Sequence, residues 1–142
     1  MKIAKVEAIP MSAHVPPERQ HRTDLGTKVK SDATLICVTT DNGLVGLGAA
    51  LGSPPVVKAI VEHELAPEVE GENPLFSELI YEKMYNGSRA EPALARGVTQ
   101  ADESRRRGMA MEAIAGVDIA VWDLKAQALG VPLYQALGAV RS

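Results

Sequence analysis

Residues 113–130, AIAGVDIAVWDLKAQALG, decide how the rest of the chain is read. Apolar side chains fall on almost every side of this segment, and only a few polar residues such as Asp118, Asp123 and Lys125 interrupt them. A helix with one apolar stripe needs one partner, whereas a helix apolar nearly all round needs several. Gly130 stands where a left-handed residue closes a helix and Pro132 follows it, so the pattern predicts a helix from about Arg106 to Leu129. PLYQALG then adds a short terminal turn.

Working outward, 142 residues with 46% hydrophobic content make one ordinary domain large enough to bury a core. The formal charge of −3 is spread along the chain and leaves no electrostatic footprint for nucleic acid or for an anionic membrane surface. The most apolar window, residues 109–124, is broken by Glu112, Asp118 and Asp123 and is too short to span a bilayer. The single cysteine, Cys37, has no companion for a disulfide or a thiolate metal site and reads as a small apolar strand residue. With no apolar leader in MKIAKVEAIPMS, the expected location is the cytoplasm.

Three strands followed by three helices are expected. Alternation predicts the first strand over residues 2–12. The run ATLICVTTDNGLVGLGAA predicts a hairpin whose Asn42-Gly43 pair takes the two positive-φ positions of a type I′ turn. Ser53-Pro54 is an N-cap and N1 pair; Val57, Ile60, Val61 and Leu65 share the helical face that follows, and Pro67 is expected to end it. Asn73-Pro74 opens a second amphipathic helix with Phe76, Leu79, Ile80 and Met84 as its stripe and Gly87 as its end. Residues 87–103 carry no periodicity and read as a long connection.

Several stretches imitate functional motifs. GLGAALG resembles a dinucleotide fingerprint, but Gly46 and Gly48 lie inside the return strand of a hairpin rather than between a parallel strand and a helix. Glycines there permit a bulge or the close approach of a ligand or another backbone. Lys28 and Lys30 flank a strand start and read as solvated. In residues 14–30, Arg19, Arg22, Lys28 and Lys30 outnumber Glu18 and Asp24, with His14 and His21 beside them; this is either a clamp for a small carboxylate or a mobile solvated loop. The two histidines lack a carboxylate at ligand spacing, so no zinc site follows. Glu112 and Asp118 lie about 240° apart around the helix, and Asp118 and Asp123 about 140° apart, so the three cannot converge on one metal ion. A carboxylate in so apolar a helix is expected to accept hydrogen bonds from backbone or a cation. The chain holds no complete catalytic site.

The helix resembles one found in the mandelate racemase and muconate lactonizing enzyme branch of the enolase superfamily. The matching residues are Ala113-Ile114, Gly116-Val117-Asp118, Ala120, Trp122-Asp123-Leu124, Gly130, Pro132-Leu133-Tyr134 and Leu137-Gly138. MKIAKVEAIP as the first strand, DNGLVGLG as the hairpin and the two amphipathic helices extend the resemblance over essentially the whole chain. It implies a three-stranded antiparallel sheet followed by a helical bundle: an N-terminal capping domain over residues 1–142, with residues 106–142 as the helix and linker leading to a (β/α) barrel. A barrel requires roughly 200 residues, and the 142 residues end about where its first strand would begin.

The resemblance also implies a division of labour. Catalytic lysines and three Mg2+-holding carboxylates belong to the barrel, where removal of a proton α to a carboxylate gives an enediolate; the chain itself would bind no Mg2+ and supply no catalytic residue. Its part is to close residues 14–30 and 49–54 over the barrel mouth, which nominates Arg19, His21, Arg22, Ala50 and Leu51 as substrate-binding residues. A small carboxylate or acid sugar would be the substrate, the barrel an intramolecular partner and a homo-oligomer the assembly. Ala49 stands where many relatives carry glutamate, which points away from cycloisomerases and dipeptide epimerases, while the basic loop and the Arg-rich connection SRAEPALARGVTQADESRRRG look more like the racemase and acid-sugar dehydratase branch. A different reading is a stand-alone, noncatalytic α+β module that buries the Trp122 helix by self-association or against another protein.

Overall fold

The computed structural model describes residues 1–86 and 108–139. Three strands, β1 (Ile3–His14), β4 (Lys30–Thr40) and β5 (Val45–Ala50), form an antiparallel sheet in the order β1-β4-β5. Alternation sends Val6 and Ala8, Ile36 and Val38, and Gly46, Gly48 and Ala50 to the covered face. The register shifts between Ile3 and Lys5, and Ile3 is buried like Val6 although the two are three residues apart.

The β4–β5 hairpin departs from the expected type I′ turn. Among the described residues none other than glycine has positive φ, and only Gly43, at 87°, does so in this turn. Its amide donates to the Thr40 carbonyl at 3.0 Å, and the Thr40 amide donates to the Leu44 carbonyl at 2.9 Å. This is a three-residue loop, a type I turn completed by a left-handed glycine, and it serves the strand twist with one positive φ instead of two. The Thr40 hydroxyl holds it by donating to Asn42 Oδ1 at 2.6 Å and accepting the Leu44 amide at 3.0 Å.

Beyond the sheet, Pro67 does not end the first helix. The chain runs as α1 (Pro54–Ile60), a π-helical turn (Val61–Leu65) and α2 (Ala66–Val69), with the Ala66 amide reaching back to the Val61 carbonyl. Proline lacks an amide hydrogen and its ring crowds the preceding turn; widening that turn accommodates it without breaking the axis. Ser53 stands at the N-cap as expected, but its side chain donates and accepts no cap bond.

The next helix, α3 (Ser77–Asn86), also turns differently from its expected stripe. Ile80 and Met84 are fully buried together with Ser77, whereas Phe76 and Leu79 are 60% and 49% exposed. Residues 77, 80 and 84 follow helical spacing as well as the expected set does, and packing selects between them. Asn73 Oδ1 accepts the Leu75 amide at 3.1 Å ahead of this helix. Gly87 and the connection over residues 87–103, like the expected helix start at Arg106, lie outside the described residues.

Across the sheet lies α4 (Met109–Leu129), which buries Ala113, Ile114, Gly116, Val117, Ala120, Val121 and Leu124 against it. Gly130 closes it with φ 68°, while the Val131 amide reaches the Ala126 carbonyl and the Gly130 amide the Gln127 carbonyl, both at 3.1 Å. Those two bonds define a Schellman end. The short α5 (Leu133–Ala136) follows Pro132.

The glycines of β5 receive their explanation here. A Cβ on Gly46 would stand 2.1 Å from the Ala120 carbonyl oxygen, and one on Gly48 would stand 2.0 Å from that of Gly116. On the facing helix, a Cβ on Gly116 would press at 3.0 Å on Ala50 and on Ile36. The close approach that the strand glycines permit is therefore to the chain's own helix, backbone to backbone.

Candidate functional site

Residues 14–30, expected as a loop, fold into an arm. Strands β1 and β4 stay paired out to His14 and Lys30, whereas β5 ends opposite Thr34, so the last part of the ladder projects as a two-stranded ribbon. A 3-10 turn (Pro17–Arg19) and a small hairpin of β2 (Arg22–Thr23) and β3 (Gly26–Thr27) complete it. The Val15 amide donates to the Val29 carbonyl at 2.9 Å, the Lys28 amide to the His21 carbonyl at 3.0 Å, and Gln20 Nε2 to the Val15 carbonyl at 2.9 Å. The stretch is thus paired by hydrogen bonds into a ribbon, and residues 21–30 are all exposed.

At the base of the arm Asp32 accepts the Ser12 hydroxyl at 2.6 Å and pairs with Lys30 at 2.8 Å. The hydrogen bond from Lys30, and after it that from Ser12, holds the Asp32 carboxyl below its usual range. Lys30 is thereby a structural partner. Arg19, His21 and Arg22 are exposed, and among the described residues their side chains enter no hydrogen bond or ion pair. Three donor-bearing side chains free on one ordered arm can meet an anion without first breaking another contact.

The second nominated segment sits at the end of β5. Ala50 is 2% exposed and packs in the core against Gly116, so its side chain cannot face a ligand; Leu51 is 64% exposed and can. Gly52 turns the chain at φ 95°, and a Cβ there would stand 2.3 Å from Met109 Sδ, which seats this turn on the start of α4. Between arm and turn, Pro10, Met11, Ser12, Lys30, Asp32, Pro54 and Pro55 line an open groove of about 240 Å3. Arm base and α1 start therefore share one concave surface.

The α4 carboxylates serve different ends. Glu112 is exposed. Asp123 Oδ2 accepts the Leu47 amide of β5 at 2.9 Å and Gln127 Nε2 at 3.0 Å, which is the backbone bond expected of a carboxylate in so apolar a helix. Asp118 is half-buried, and burial first, then the nearby Glu78 charge, pushes its carboxyl above the usual range. Among the described residues no group of three His, Cys, Asp or Glu side chains could hold a metal ion. No described helix is long and apolar enough to cross a membrane.

Sequence reasoning found the free cations of the arm through composition, but it missed the ladder that orders them. The strand pair in the arm's outer part is two residues long on each side, too short to leave a periodicity. Lys125 was likewise not singled out, yet its Nζ lies 4.3 Å from the Trp122 ring centroid and donates to Ser77 Oγ at 3.0 Å, linking α4 to α3.

A three-stranded meander with its helices on one face and a basic arm at one end is the architecture of an enolase-type N-terminal domain. The chain belongs to the mandelate racemase / muconate lactonizing enzyme family, whose N-terminal domain it matches over residues 5–138. It is 39% identical over 103 residues to D-galactonate dehydratase of Verminephrobacter eiseniae, a match covering 71% of this chain and 23% of that protein. It is 36% identical over 103 residues to D-mannonate dehydratase of Novosphingobium aromaticivorans, covering 71% of this chain and 22% of the relative. Among solved structures, an enolase-superfamily member from Polaromonas sp. JS666 superposes with TM-score 0.74 at 28% identity, over 97% of this chain and 33% of that one. A mandelate racemase/muconate lactonizing enzyme-like protein from Rubrobacter xylanophilus superposes with TM-score 0.77 at 26% identity, over 96% and 33% respectively. The chain thus spans less than a quarter of the length of these curated relatives.

Proposed function

We propose that this chain is the capping domain of an acid-sugar dehydratase or racemase, spanning residues 1–142, with residues 106–142 forming the helix and linker that lead to a catalytic barrel in the same polypeptide. The observation that carries this reading is the outer side of α4: Ile119 and Leu129 are 45% and 56% exposed and Trp122 is half-buried, in a chain that spans less than a quarter of its relatives' length. Exposed apolar surface beside a half-covered Trp is surface awaiting a partner. The barrel is that partner in this reading.

Within it, the arm and the Leu51–Gly52 turn close over the substrate. Arg19, His21 and Arg22 meet the carboxylate or hydroxyls of a small sugar acid, Leu51 supplies an apolar wall, and Ala50 contributes only through its backbone. Closure of this kind excludes water and positions the substrate. Mg2+ belongs to the remainder of the polypeptide, and the described residues of this chain take no chemical step. The complete protein is a cytoplasmic homo-oligomer on the same reading.

The test uses the natural polypeptide. Mg2+-dependent turnover of D-galactonate, D-mannonate and related acids is expected from it and not from the isolated 142-residue chain. Arg19→Ala/Arg22→Ala in the long form should raise KM about tenfold, equivalent to one lost charge-assisted contact, with kcat little changed. Turnover by the isolated chain, or unchanged KM on every acid, overturns the assignment of roles. If a stable product of 142 residues is the natural form and buries Trp122 in an oligomer, the stand-alone module replaces this reading.

A further inference from the structure

Among the described residues, strand β5 is an edge strand, bonded to β4 on one side only. Its sequence, VGLGAA, carries no charge, no proline and no bulge, and Val45 and Leu47 are 42% and 50% exposed. Those are the features that make an edge a template for another strand, and none of the usual protections lies within the strand itself. Protection comes instead from α4.

Two side chains one helical turn apart reach around to the open edge. Asp123 Oδ2 accepts the Leu47 amide at 2.9 Å, and Gln127 Nε2 donates to the Val45 carbonyl at 2.8 Å. They also bond each other at 3.0 Å, which fixes both in place. One acceptor and one donor thus occupy an amide and a carbonyl that an incoming strand would use. The glycines of β5 make this reach possible, because Gly46 and Gly48 let the α4 backbone settle directly on the strand.

We propose that Asp123 and Gln127 form an edge lock, which keeps β5 from pairing with the β5 of a second copy. A second copy is the fitting occupant because antiparallel pairing of identical strands is self-complementary: the Leu47 amide and carbonyl of each would bond those of the other across a twofold axis. The carboxylate of Asp123 also places a negative charge at the edge of each copy, so that two locked edges repel. This lock is independent of the capping role, since it rests on the chain's own bonds.

In the natural polypeptide that carries this chain, Asp123→Ala/Gln127→Ala is compared with the parent by analytical ultracentrifugation across a range of concentrations. The expected result is a concentration-dependent doubling of the parent's mass, reversed when Leu47→Lys is added, because a charged edge residue opposes strand addition. Association that Leu47→Lys does not reverse overturns the proposal, since it then uses another surface. So does a variant that keeps the parent's mass while its Leu47 amide exchanges freely with solvent. Should loss of Asp123 unfold the chain, Gln127→Met decides the matter, for Gln127 is exposed in the last turns of α4 and methionine cannot donate to Val45. A folded Gln127→Met variant that gains mass supports the lock, and one that does not overturns it.

Discussion

The β5–α4 contact and the arm over residues 14–30 are built on opposite terms. In the first, glycine removes side chains so that two backbones meet, and the surrounding Ile36, Val38, Ile114, Val117 and Leu124 are wholly buried. In the second, a ladder of backbone hydrogen bonds orders a ribbon that buries almost nothing, ending at Leu25, which is 95% exposed. On the proposed reading, stability and recognition are thereby separated in space: the close-packed region tolerates no added atom, and the ribbon tolerates almost any. Loops that select ligands are drawn from surfaces where a change costs little folding energy.

The sharpest way to break this contrast is to add one methyl group. Gly48→Ala places a Cβ 2.0 Å from the Gly116 carbonyl oxygen, a backbone atom that cannot rotate away. Overpacking of this severity should cost about 3 kcal/mol, read as a lowered midpoint in urea unfolding. A midpoint within error of the parent would mean that α4 can lift from the strand and that the contact is not close-packed.

A smaller effect is expected at the edge of the packed region. Burial raises the Asp118 carboxyl above its usual range, with Glu78 adding to it. Sign follows from linkage: a carboxyl raised in the folded state binds more protons there than in the unfolded chain, so its contribution falls as pH rises through that window. Because solvent screens a half-buried carboxyl, Asp118→Asn should stabilise the chain by less than about 1 kcal/mol at neutral pH. The gain should vanish below the ordinary carboxylate range, where both states of the parent are protonated. Urea midpoints at pH 7 and pH 3 measure the difference, and a loss of stability at pH 7 would assign Asp118 a favourable partner.

The smallest effect belongs to the arm. Leu25→Ser should change the unfolding midpoint by less than about 0.5 kcal/mol, because the side chain leaves water for nothing. A larger loss would show that the tip packs on part of the molecule, and the separation of stability from recognition would fail there.

Local order was readable from the chain because it is written in spacing and in end signals. Alternation marks the three strands, Gly130 with Pro132 marks the end of α4, and the Trp122-Asp123-Leu124 helix carries the family. The candidate site was readable in part: an excess of Arg19, Arg22 and His21 in a short stretch shows as composition, whereas pairing of residues 22–23 with 26–27 leaves no pattern. Tertiary packing decided the rest. It chose Ser77, Ile80 and Met84 over Phe76 and Leu79 as the buried face of α3, since both sets satisfy helical spacing and only a neighbour can distinguish them. It carried the first helix through Pro67, because a wider turn costs less than abandoning Ala66 and Val69 to solvent. It turned the glycines of β5 into a seat for α4 and buried Ala50 beneath it. The sequence by itself determined the three strands of the main sheet, the helices that follow them and the family they belong to. Which faces those segments bury depends on contacts between residues tens of positions apart, and that only the folded chain settles.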